Sequence, residues 1–77
     1  MNETRAELLR LLADVGALYP EMRIGQLISW FASAARGPRV ESVYDAEDDE
    51  LIAAIQEHLS SPRARARADE LQPTGTG

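Results

Sequence analysis

The chain has 77 residues, with 13 acidic side chains against 8 basic ones and a net charge of −5. It has no cysteine and one histidine, which excludes disulfide staples, thiolate zinc sites and cysteine nucleophiles and leaves little imidazole chemistry. The negative balance weighs against a general DNA or RNA binder, which needs positive charge to displace phosphate counterions, and no apolar run approaches the ~18 residues of a membrane span.

The opening MNETRAELLRLL lacks the charged start, apolar stretch and small-residue cleavage site of a secretory signal, so the expectation is a soluble, cytoplasmic domain. From about Asn2 to Leu18, Leu8, Leu11, Leu12, Val15 and Leu18 fall at the spacing of one helix face. Glu3, Glu7, Arg10 and Asp14 form the opposite stripe, and Thr4 with Glu7 fits a capping box. Leu9, Ala13, Gly16 and Ala17 lie between the stripes, so the wetted line is narrow. A helix of that kind is expected to be covered on two sides, by neighbours or by a subunit contact.

The residue before Pro20 is pushed out of helical geometry, which ends the first helix. A second helix is predicted from about Pro20 to Arg36, with Glu21 beside the positive end of its dipole. Ile24, Leu27, Ile28, Phe31 and Ala35 make its apolar stripe, and Gly37-Pro38 reads as a stop. Gly16 and Gly25 are read either as points of close helix crossing or as fraying. Trp30 projects about 120° from the centre of the stripe, on the side of Arg23, Gln26 and Ala34. A tryptophan so placed widens the core or marks a contact surface. With Arg23 and Gln26 as a rim, it is the first choice for a partner-contact residue.

Val40 to Tyr44 has the only strand-like composition in the chain, with no second strand to pair with. It is expected to be an extended linker, with a ladder to its own copy as the alternative. A third helix is predicted from Asp45–Asp48 to His58 or Leu59, with Leu51, Ile52, Ile55 and Leu59 as its apolar side. Beyond Ser60 the composition leaves almost nothing to bury, so residues 61–77 are expected to form a disordered tail behind a domain of residues 1–60.

Six of the ten residues from Glu41 to Glu50 are acidic. Counted from Asp45 as an EF-hand loop, the sixth position is Glu50 rather than glycine and the twelfth is Gln56 rather than glutamate, so no calcium loop is expected. The cluster reads as a charged helix start, or as an arginine-seeking contact through Asp48, Asp49 and Glu50. His58 has no histidine or cysteine to share a metal and no nucleophile beside it, and reads as a helix-end histidine whose positive form suits the dipole. Arg63, Arg65 and Arg67, followed by Asp69 and Glu70, are a weak signal for phosphate and read as a solubilising tail. A helix-turn-helix reading of the first two helices is the alternative, although the would-be recognition helix begins Glu21-Met22-Arg23 and lacks phosphate-positioning groups.

Residues 19–59 resemble a group of small bacterial proteins marked by an R-(I/L)-G-Q-L-(I/L) segment and a later E-D-(D/E)-E-L-(I/L) segment. Here these are Arg23–Ile28 and Glu47–Ile52. The resemblance carries no activity, cofactor or partner. It implies that Arg23, Gly25, Gln26 and the acidic turn form one unit, with Arg23 reaching the Asp48–Glu50 carboxylates.

The sequence therefore predicts an all-α fold of three helices, a short extended segment before the third, and a disordered tail. A body of ~60 residues buries only about 60% of its unfolded surface and needs very regular packing or a second subunit. The expected function is non-catalytic: an interaction or accessory module, of adaptor, immunity or antitoxin type, that buries apolar surface on another protein or on its own copy. No metal or cofactor is expected. The candidate contact residues are Leu9, Arg23, Gln26, Trp30, Asp48, Asp49 and Glu50.

Overall fold

The computed structural model describes residues 3–71, which form five helices and no strand. They are α1 (Glu3–Leu18), α2 (Ile24–Arg36), α3 (Ser42–Asp45), α4 (Asp48–Leu59) and α5 (Pro62–Leu71). The all-helical class agrees with the sequence reading, whereas the count of three does not.

Helix α1 buries Leu8, Leu11 and Val15, three residues of its predicted face. Among the described residues Glu3 and Thr4 are already helical, and Glu7 pairs with Arg10. Helix α2 begins at Ile24, not Pro20. Pro20 to Arg23 form a turn in which the Met22 N–H donates to the Tyr19 carbonyl at 3.0 Å. Arg23 is extended (φ −77°, ψ 153°), and its N–H donates to Gln26 Oε1 at 2.9 Å. A glutamine three residues in satisfies a free donor at the cap residue, which fixes the start at Ile24.

The segment expected to be extended is helical. Gly37 at φ 100° turns the chain out of α2, a conformation that costs other residues about 1–3 kcal/mol. The buried Ser42 hydroxyl then donates to the Gly37 carbonyl at 2.5 Å. With no strand to pair with, the segment satisfies its own backbone: Tyr44 and Asp45 N–H groups both donate to the Glu41 carbonyl. β-branched composition loses here because strand preference depends on a neighbouring strand. Helix α4 starts as predicted, with Glu50 Oε1 accepting the Glu47 N–H at 2.8 Å.

Residues 62–71, expected to be disordered, form α5. Pro62 occupies the first helical position, where a missing N–H costs nothing. Ser61 caps the helix: its hydroxyl accepts from the Ala64 N–H at 3.1 Å and donates to the His58 carbonyl at 2.6 Å. Residues 72–77, the rest of the expected tail, lie outside the described residues.

Helix α4 is the centre of the bundle, packed against both α1 and α2. It runs parallel to α1, since Arg5 reaches Asp48 at one end and Tyr19 reaches His58 at the other. It runs antiparallel to α2, whose C-terminal Arg36 reaches Glu50 at the start of α4. The core joins Leu8, Leu11, Val15, Tyr19, Leu27, Phe31 and Ile55, with Leu51, Ile52 and Leu59 packed around it. Neither helix glycine is a close-crossing point. A side-chain carbon at Gly16 would meet Leu27 Cδ1 at an ordinary 3.9 Å, and one at Gly25 would face open space.

Candidate protein-contact surface

The two ends of the bundle treat their aromatic residues in opposite ways. At one end four rings converge. Trp30 stacks on Phe31 with centroids 4.9 Å apart and meets Tyr19 edge-on at 5.4 Å. His58 meets the edge of Trp30 at 4.8 Å and of Phe31 at 5.7 Å. The Tyr19 hydroxyl and His58 Nε2 lie 2.6 Å apart. Burial, and then the charge of Arg63, holds the His58 imidazole below its ordinary pKa. The helix-end histidine expected from sequence thus sits in an aromatic cluster, where burial disfavours its charged form. Arg63 lies 5.8 Å over Trp30 and Arg67 lies 5.4 Å over Tyr19, so α5 closes this end.

Trp30 accordingly packs on the core from its edge, half-buried and stacked on Phe31. The off-stripe position found in the sequence is the position that lets it do so. Arg23 and Gln26 are exposed at the start of α2, with Gln26 tied to the Arg23 N–H. The expected link from Arg23 to the acidic turn is not formed among the described residues. Asp48 pairs instead with Arg5 at 2.6 Å, and Glu50 with Arg36 at 3.0 Å. These arginines come from the helices that α4 packs against, which places them nearer the carboxylates. The Glu47 N–H, and then Arg36, also hold the Glu50 carboxyl below its usual pKa. Asp49 is exposed without an ion pair among the described residues.

At the opposite end, Val40 is 83% exposed, Val43 41% and Tyr44 84%. Val40 stands in the turn before α3, and Val43 and Tyr44 follow it by three and four residues within α3. Glu41 and Asp45, in the same segment, and Asp49, in the first turn of α4, are exposed as well. Leu9, 51% exposed on α1, is the candidate apolar residue of the sequence reading that stays open to solvent. Sequence reasoning missed Val40, Val43 and Tyr44 as surface residues. The signal was present, because their positions fit a helical turn as well as a strand.

No helix among the described residues is long and apolar enough to cross a membrane. No set of three or more His, Asp or Glu side chains among them converges as metal ligands. The chain matches no family model, no curated protein and no solved structure.

Proposed function

We propose that this chain is a small protein-binding module without catalytic chemistry, and that its contact surface is the α3 corner. The observation that carries the proposal is the exposure of Val40, Val43 and Tyr44, close in sequence, on a chain that packs its other three aromatic rings in or against its core. Grouped apolar side chains rimmed by polar ones mark interaction sites more often than scattered ones do. Tyrosine suits such a place, offering a large rigid contact area with a polar tip. Glu41, Asp45 and Asp49 would steer a basic partner toward the corner and set its orientation.

The partner is another protein or a second copy of the chain, and the proposal places the chain as a cytoplasmic accessory of adaptor, immunity or antitoxin type. The likeness to small bacterial proteins with RIGQLI- and EDDELI-type segments is part of the same proposal. The nucleic-acid alternative loses support, since Arg63 and Arg67 are engaged with Trp30, Tyr19 and Glu21 inside the chain.

A photo-crosslinking residue placed at Tyr44, compared with one at Gln26, tests the surface in the cells that make the protein. A discrete adduct from position 44 and none from position 26 is the expected result. An adduct of twice the chain's mass would identify the partner as its own copy. Adducts from position 26 alone, or from neither position, would overturn the assignment.

A further inference from the structure

Helix α5 is attached to the bundle in an unusual way. Ala64 is its buried residue, and five of its ten residues, Pro62–Leu71, are charged. A polar helix of ten residues is marginal on its own and needs its surroundings to hold it. Besides the packing of Ala64, Arg67 ties it to the bundle. Its Nε donates to the carbonyl of Leu18, the last residue of α1, at 2.9 Å. A terminal nitrogen pairs with Glu21, another lies 3.5 Å from Glu70, and the guanidinium sits over the Tyr19 ring.

Three groups outside α5 thus converge on one guanidinium. The end of α1 supplies a carbonyl without an intrahelical partner and the negative pole of a helix that has no basic residue in its own last turn. Glu21 supplies a carboxylate, and Tyr19 the face of a ring. Arg63, one turn earlier, covers Trp30 in the same manner. Tyr19, Glu21, Arg63, Ala66, Arg67 and Glu70 line an open recess of about 330 Å³ at this seam.

We propose that the face formed by the end of α1, Glu21, Tyr19 and Trp30 is a recognition site for an arginine-bearing helix, filled in the free chain by α5 and open to a helix of another protein with two arginines one turn apart. The occupant in place shows the chemistry that fits: arginines at 63 and 67, separated by alanines and a single outward arginine. An external helix has to outcompete a tethered α5, and it does so by adding apolar contacts that α5, with Ala64 as its buried residue, does not make. The proposal rests on contacts remote from the α3 corner, so each can fail without the other.

The test uses the full chain and a synthetic peptide of residues 61–71. Trp30 is the only tryptophan and lies under Arg63, so its emission reports on this face. In the variant Arg67→Ala, where α5 is released, the peptide is expected to shift Trp30 emission saturably. In the unmodified chain, where α5 competes, its apparent affinity should be weaker by roughly tenfold or more. A peptide with both arginines replaced by alanine, or the added change Glu21→Gln in the chain, should abolish the shift. Hydrogen exchange on the unmodified chain gives a reading independent of any variant: α5 amides should exchange well before those of α4. Exchange of α5 only through global unfolding, or a Trp30 signal indifferent to the peptide, would overturn the proposal.

Discussion

Two ends of one small bundle dispose of their aromatic side chains in opposite ways. Where α1 closes and α5 turns back, Trp30 and His58 each lie within 6 Å of the other three rings of the group Tyr19, Trp30, Phe31 and His58, and two arginines cover it. Where α2 turns through Gly37 into α3, Tyr44 and Val40 stand almost wholly in water. Burying a side chain of that size is worth about 1.5–3 kcal/mol, and the chain realises this at the first end but not at the second. Surface that a fold could have used and left open is surface available to something else.

The largest expected effects set the two ends directly against each other. Phe31→Ala should cost about 3–5 kcal/mol in urea unfolding, most of the stability of a chain this size, because it empties a fully buried position. Tyr44→Ala should change the same midpoint by no more than about 0.5 kcal/mol. A Tyr44 effect comparable to that of Phe31 would dissolve the contrast. Gly37→Ala comes next, at about 1–3 kcal/mol, since the residue holds φ 100° at the entrance to the corner. Tyr19→Phe removes the hydroxyl that faces His58 Nε2 and should cost about 0.5–1.5 kcal/mol.

His58 gives the enclosed end a pH signature. Its native pKa lies below the ordinary 6.5, so in that interval the unfolded chain binds the proton more readily than the folded one. The stability tied to the neutral ring is complete above about pH 6.5 and declines as pH falls toward the native value. Thermal melts between pH 7.5 and about 5.5 should show this decline, and His58→Gln should flatten it. The smallest effect has the opposite sign. Gly25→Ala, a change into open space within α2, should stabilise by up to about 1 kcal/mol.

What the sequence disclosed follows from which signals are local. Periodicity placed the buried faces of α1, α2 and α4, because Leu8, Leu11, Val15, Leu27, Phe31 and Ile55 repeat with the helix. The boundary at Ile24 was misplaced because a proline was read as a helix start, although Gln26 pointed to Arg23 as the cap. Helix α5 was missed because its support is tertiary: an arginine that caps a helix 49 residues away leaves no mark on composition. Ser61-Pro62 is the one local sign of that start, a capping hydroxyl followed by a first-turn proline. Trp30 was found for its odd position, but the rings it meets come from α1 and α4 and could not be read from α2 alone. The α3 corner was obscured because Val40, Val43 and Tyr44 satisfy a short strand and a helical turn equally well.

The central placement of α4 bears on how the chain is made. The ribosome delivers α1 and α2 first, yet both find their main neighbour in a helix that starts at residue 48. Two newly made amphipathic segments must wait, greasy sides uncovered, until the chain has been extended through Leu59. That interval is when a nascent polypeptide of this design is most open to chaperone capture or aggregation.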